Sequence, residues 1–211
     1  MRKRYLIVNA DDFGYSYGIN KGIIEAHTNG IVTSTSVMVD AIAAHEAVDL
    51  IDYPELSIGL HFVPNSSVSI EKELKRQVDK FVEILATKPD HIDVHKRLNL
   101  TGQVEKVLRE YSKVHKVPIR RLGYAKFIYS FYGPHANGDL SVNQLKLAIN
   151  EATDEYNEIM CHVGYSDDYL RKTSSYNDPR EEELKSICDP SIKIYIQEQG
   201  LTLIDWHSIR V

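Results

Sequence analysis

The stretch Leu6-Ile-Val-Asn-Ala-Asp-Asp-Phe-Gly-Tyr15 carries an apolar run straight into two adjacent carboxylates and a glycine turn. Such a run reads as a buried strand, and its carboxylates stand where the strand gives way to a loop. Adjacent side chains on a strand diverge, so Asp11 and Asp12 can serve one site in two roles, one holding a metal ion and the other handling a proton. A plainer use of Asp12 is to cap the helix or turn that follows. Later hydrophobic pulses weigh toward the first reading. Leu56-Ser-Ile-Gly-Leu-His61, Asp90-His-Ile-Asp-Val-His95 and Tyr156-Asn-Glu-Ile-Met-Cys-His162 each leave a histidine at a strand end. In parallel α/β sheets and barrels the C-terminal strand ends share one face, and sites are built there. The pattern predicts that Asp12, His61 and His95 converge although they lie far apart in the chain.

A chain of 211 residues, 43% of them hydrophobic, can bury a full core and is expected to form one domain over residues 1–211. Its net charge of −5, with no long basic stretch, gives no support to a nucleic-acid partner. No apolar run is long enough to span a bilayer, so no membrane partner is expected. Lys72, Lys75, Arg76 and Lys80 alternate with acids and read as a solvated helix face. The two cysteines, Cys161 and Cys188, form no closely spaced ligand pair, which points to a reducing compartment. Cys161, beside His162, reads as a small buried hydrophobe rather than a nucleophile. The basic Met1-Arg-Lys-Arg4 passes into an apolar run too short for a signal-peptide core, so a cytoplasmic protein is expected.

Strand and helix patterns alternate along the chain, as in successive βα units. Helices are predicted over 17–28, 41–50, 71–86, 103–114 and 142–153. The third should bury Leu74, Val78, Phe81, Val82 and Leu85, and the fourth Val104, Val107, Leu108 and Tyr111. Asp178-Pro179 and Asp189-Pro190 each place a cap before proline at the first helical position. Strands are predicted over 33–39, into His61, into His95, over 117–120 and over 201–204, with 125–132 a strand or an irregular loop. About seven units in 211 residues fall short of an eight-stranded barrel of about 250 residues. The fold class predicted is α/β, a distorted or incomplete (β/α) TIM-like barrel.

Two neutral imidazoles and a carboxylate bind a divalent ion on one side and leave positions open for water and substrate, a set that Asp12, His61 and His95 supply. Water so held is acidified and can attack a carbonyl. Asp11, next to the ligand, is placed to take its proton, and His162, from another strand end, to protonate a departing amine. That division of labour suits amide or ester hydrolysis. On ligand chemistry alone, two histidines favour zinc or another transition metal.

Ile7-Val-Asn-Ala-Asp-Asp-Phe-Gly14, Asn20-x-Gly-Ile-Ile-Glu-Ala26, Asn29-Gly-Ile-Val-Thr-Ser-Thr35, Gly59-Leu-His-Phe62, His91-Ile-Asp-Val-His95 and Met160-Cys-His162 together resemble the YdjC-like carbohydrate deacetylases, a group that includes the chitooligosaccharide deacetylases. The similarity runs on through Arg180-Glu-Glu-Glu-Leu184 to Gly200-Leu-Thr-Leu203 and covers nearly the whole chain. It implies a distorted (β/α) barrel that removes an acetyl group from a small N-acetylated sugar or a chitobiose-like oligosaccharide. It further implies metal ligation by Asp12, His61 and His95, Asp11 as catalytic base, His162 as acid, and Arg120 as the arginine beside the base. Magnesium is the usual family metal, and a homodimer is the assembly the family suggests. The chain departs from the family pattern where Val94 replaces a serine and where Arg97 and Asn99 replace two histidines. The segment between His61 and His95 is also short, which suggests a more open cleft.

Two other functions compete. His91-x-Asp93 superficially offers the motif of iron oxygenases, but those sites generally sit on antiparallel barrels. The altered residues after His95 would also suit a family member that binds a sugar or a protein partner without turnover. Asp11, Asp12, His61, His95 and His162 together argue against it, because a binder needs no base and acid. Asp93 is expected mainly to make a structural hydrogen bond. His135 lies in a loop that a solvated histidine would suit. Trp206, with Asp205 and His207, is expected either at a pocket rim, stacked on a sugar, or packed at the barrel bottom or at a subunit contact.

Overall fold

β1 (Arg4–Phe13) runs through the middle of a seven-stranded sheet in which every pairing is parallel. The chain is seen in a computed structural model that describes residues 3–96, 100, 102–131 and 138–209. Strand order is β4-β3-β2-β1-β6-β5, built from β2 (Ser34–Val37), β3 (Ser57–Phe62), β4 (Ile92–Val94), β5 (Lys126–Ile128) and β6 (Tyr156–Cys161). β7 (Leu201–Leu203) pairs with Arg4 to Leu6 of β1, and β2 pairs with β1 from Asn9 onward. Ile119 adds a single parallel bridge to Ile92 on β4. From that position Arg120 reaches Asp11 on β1 and Glu158 on β6, so the sheet curls into a half-barrel.

β1 is buried on both faces, as a central parallel strand must be, and its two faces differ in chemistry. Leu6, Val8 and Ala10 join Leu60, Phe62, Ile92, Ile159 and Cys161 in the main apolar core under the helices. The alternate residues Ile7, Asn9 and Asp11 point to the concave interior. There Ile7 packs with Trp206 and Ile209, and above them the lining turns polar. Asn9 bonds Ser34 and Asp11, and Ser36 bonds His61. This polar interior stacks toward the C-terminal strand ends.

The helices are α1 (Tyr17–Thr28), α2 (Ile70–Leu85), α3 (Gly102–His115), α4 (Val142–Asn150), α5 (Asp168–Thr173), α6 (Asp178–Ile187) and α7 (Pro190–Glu198). Ser16 caps α1 by accepting from the Ile19 amide, so Asp12 is not its cap. Several sequence expectations shift. The helix predicted over 41–50 is a 3-10 helix at Ala44–Asp52, and the strand over 117–120 is only the Ile119 bridge. Asn177, not Asp178, holds the cap position of α6, whereas Asp189 caps α7 as expected. Val82 is 38% exposed, while Glu73 and Gln77 take buried positions on α2. Among the described residues no helix is long and apolar enough to cross a membrane. Arg97, Asn99 and His135 lie outside the described residues.

At the barrel bottom the His91 ring stacks on Trp206, with centroids 5.0 Å apart and planes 17° from parallel. Trp206 is therefore a packing residue. Gly59 makes the space, since a Cβ there would lie 2.3 Å from His91 Cε1. Neither His91 nitrogen has a hydrogen-bond partner among the described residues, and burial pushes its pKa down to about 3 against the pull of Asp93. The unfolded imidazole takes up a proton below its ordinary 6.5 and the folded one does not until about 3, so stability is lost as pH falls through that window. The loss from this group should reach about 2 kcal/mol at about pH 5. Urea unfolding at about pH 5 and about pH 8 checks it: His91→Leu should lose that much less on acidification than the wild type, and an equal loss in both would contradict it.

Candidate active site

Three strand ends deliver the metal-ligating candidates to one point. Asp12 follows Asp11 at the end of β1 with φ at +73°, a left-handed conformation that turns its carboxylate over the strand tips. His61 is the penultimate residue of β3, and His95 follows β4 directly. Asp12 Oδ1 lies 3.3 Å from His61 Nε2 and 3.6 Å from His95 Nδ1, and the two nitrogens are 3.3 Å apart. Asp12 Oδ1 is buried and, among the described residues, receives no hydrogen bond of ordinary geometry. Ligand atoms held at about 2.1 Å from a shared ion stand roughly 3.0–3.4 Å apart, so these three donors fit a divalent cation. Two imidazoles and one carboxylate are also a chemically sound donor set for a transition metal.

The orientation of His61 has a visible cause. In register with Asp93 on the neighbouring strand, its Nδ1 hydrogen-bonds the Asp93 carboxylate and lies 3.3 Å from Ser36 Oγ, which turns Nε2 toward Asp12. Asp93 in turn pairs with Arg120 Nη1 at 2.8 Å. Asp93 thus does more than satisfy a buried strand. Burial disfavours charge on His61, but Asp93 and Asp12 outweigh it and hold the imidazole well above its ordinary range.

Arg120 anchors the second carboxylate. Its Nη1 and Nη2 each lie 2.8 Å from an oxygen of Asp11, and its Nε donates to Glu158 Oε1 at 2.6 Å. Asn9 Nδ2 adds a bond of 2.8 Å to Asp11 Oδ1. An ionised carboxylate has about four lone-pair positions, so these contacts leave Asp11 acceptor capacity. One oxygen of Asp11 lies within 4.8 Å of a His61 nitrogen and an Asp93 oxygen. Burial pushes Glu158 up to about 7, with Arg120 pulling it down.

His162 follows β6 and shares the cleft wall. Its backbone amide donates to Glu183 Oε2 at 2.6 Å, and its ring meets Tyr176 edge-on at 5.7 Å. Burial lowers its pKa to about 4, Asp12 opposing and Arg180 assisting, so the imidazole is neutral at pH 7. Tyr176 in turn donates its hydroxyl to Glu183, which burial pushes up to about 7.

Arg180 was not singled out by its pattern in the sequence. It sits in the first turn of α6, where a cation faces the positive end of the helix dipole, and that misfit is the signal it carries. Its Nη2 donates to Asp12 Oδ2 at 2.6 Å and its Nε to the Tyr176 carbonyl at 3.0 Å. Burial raises the energy of the Asp12 carboxylate, but Arg180, aided by His61 and His95, holds its pKa well below the usual range.

Asp11, Asp12, His61, His95, Arg120 and His162 all line one cavity of about 380 Å³. Val94, Lys96, Arg121, Met160, Tyr176 and Arg180 contribute to the same wall. Among the described residues five non-glycine residues have positive φ, and three of them, Asp12, Lys96 and Arg121, line this cavity. Backbone strain is thus concentrated where the candidate chemistry is. A second cavity of about 500 Å³ adjoins through Tyr15 and is lined also by Asp40, Asn65, Gln77 and Tyr169.

Known proteins are similar to this chain along nearly its whole length. The chain is 34% identical to the carbohydrate deacetylase of Geobacillus stearothermophilus over 96% of its length and 97% of that protein's. It is 33% identical to the carbohydrate deacetylase of Clostridium beijerinckii over 97% and 99% of the two. The crystal structure of an Enterococcus faecalis protein described as a cellobiose-phosphate cleavage protein superposes with a TM-score of 0.83 at 24% identity, covering 98% of each chain. A family 4 carbohydrate esterase from Streptomyces lividans, solved with acetate, shares the fold at a TM-score of 0.62 and 13% identity, over 100% of this chain and 98% of that one. The YdjC-like protein family matches residues 5–69 and 63–198, and with these relatives it shows that the chain belongs to that family.

Proposed function

We propose that the protein hydrolyses the acetamido group of an N-acetylated sugar or short oligosaccharide, releasing acetate and a free amine. The observation that carries this reading is the meeting of Asp12, His61 and His95 in one cavity with Asp11 and His162. The curated relatives named carbohydrate deacetylases support the substrate class.

Asp12, His61 and His95 would hold a divalent cation, and their two imidazoles favour zinc or another transition metal over magnesium. Such an ion supplies Lewis acidity to a water molecule and to the acetyl carbonyl. Asp11, fixed by Arg120 and Asn9, takes a proton from water as its oxygen bonds to the carbonyl carbon. Negative charge developing on the former carbonyl oxygen raises the proton affinity of the neutral His162 nearby. His162 then takes up the proton that Asp11 removed from water and delivers it to the sugar nitrogen as the carbon–nitrogen bond breaks, so that both residues end as they began. Arg120 keeps Asp11, Asp93 and Glu158 together while this charge moves.

The second cavity, which shares Tyr15 as a lining residue with the first, offers room for a further sugar ring. Acetate release should therefore be faster from N,N′-diacetylchitobiose than from N-acetylglucosamine, by roughly tenfold or more in kcat/KM. Acetate assays on both sugars and on the disaccharide 6-phosphate check this. Ion binding without acetate from any of them would contradict the proposed reaction.

A further inference from the structure

The two aspartates of the cleft each have their own arginine, and the two pairings differ. Arg120 spans both oxygens of Asp11. Arg180 takes only Oδ2 of Asp12, at 2.6 Å, and leaves Oδ1 alone facing His61 and His95. Arg180 is only 4% exposed and is fixed from behind. Its Nε is tied to the Tyr176 carbonyl and its guanidinium carbon lies 5.6 Å from the centre of the Tyr176 ring. Its third nitrogen, Nη1, is buried with no hydrogen-bond partner among the described residues. A guanidinium buried in this way, against the positive end of its own helix, is costly unless its one carboxylate contact matters.

A carboxylate can give a metal ion one oxygen or two, and the number decides how many positions are left for other ligands. We infer that Arg180 restricts Asp12 to one-oxygen ligation by occupying Oδ2, so that a coordination position stays free for water and substrate. Arg180 is in this sense a positioning residue acting through Asp12. The inference rests on the metal reading above, and it adds a residue and a coordination rule to it.

The test uses Co²⁺, whose visible absorption reports its coordination. Co²⁺ is titrated into metal-stripped wild type, Arg180→Met and Arg180→Lys, each first shown to be folded by circular dichroism. Removing the guanidinium frees Oδ2 and removes a repelling cation. The Met variant should bind Co²⁺ roughly tenfold more tightly, with weaker visible bands as the coordination number rises. The Lys variant should stay nearer the wild type. An unchanged spectrum and affinity in Arg180→Met would overturn the inference, as would loss of Co²⁺ binding, which would make Arg180 a mere prop for Asp12. If neither variant folds, X-ray absorption of the Co²⁺-loaded wild type decides, with two Asp12 oxygens on the ion overturning the inference and one supporting it. A wild type that binds no Co²⁺ would instead overturn the metal reading itself, and this inference with it.

Discussion

Asp11→Asn is expected to slow acetate release roughly 10³-fold, within the range that a general base contributes. The substitution keeps the side-chain shape, one acceptor oxygen and the neighbourhood of Asn9, and removes the ability to accept a proton from water. Asp11 is not one of the three proposed ligands Asp12, His61 and His95, so Co²⁺ or Zn²⁺ affinity should change by less than about threefold. KM should change little, because the base acts only as charge develops. Acetate kinetics and metal titration on the same preparation separate the two effects. Turnover surviving at near wild-type rate would remove Asp11 from the chemistry. Loss of the metal along with turnover would make it a ligand and leave the base unidentified.

The second large effect concerns stability. Arg120→Met should destabilise the protein by about 3–5 kcal/mol, because it strands buried charge that one guanidinium now serves. Asp11, Asp93 and Glu158 all contact Arg120, and all three are buried at 2% exposure or less. Urea unfolding measures the loss directly, and thermal melting should drop by roughly 10 °C, at about 2–4 °C per kcal/mol for a chain of this size. Arg120→Lys should recover only part of this, since a point charge cannot bridge three carboxylates as a planar fork does. A Met variant as stable as the wild type would mean that the three acids do not depend on Arg120.

The parts of the site that strand alternation specifies were readable from residues alone. A histidine or aspartate at the end of an apolar run must reach the same rim when every strand is parallel, so Asp12, His61, His95 and His162 could be brought together on paper. Elements defined by long periodic stripes, such as α1, α2 and α3, fall within a residue or two of expectation. Short elements do not announce themselves. α5 has six residues and one fully buried side chain, Leu170, too few for a helical period to show. The 3-10 geometry of Ala44–Asp52 is likewise invisible, because its apolar spacing resembles that of a short α-helix.

What lies behind the rim was harder to read, because it depends on register rather than pattern. His61 meets Asp93 only because the two residues are paired across β3 and β4. Arg120 reaches three acids only because the sheet curls. Trp206 belongs to a strand-end segment where a sugar platform and packing at the barrel bottom read alike in one dimension, and it stacks on His91 at the closed end of the barrel. Arg180, on a polar helix start, resembles a surface residue until its bond to Asp12 is seen.

The central proposal is that one divalent ion, held by Asp12, His61 and His95, is needed to release acetate. The most direct measurement is a titration of metal-stripped protein with Zn²⁺ or Co²⁺ while acetate from N,N′-diacetylchitobiose is followed. Activity should be absent at the start, rise in proportion to added ion and level off at a single ion per chain. Full acetate release in the presence of a strong chelator, from protein shown to carry no ion, would contradict it.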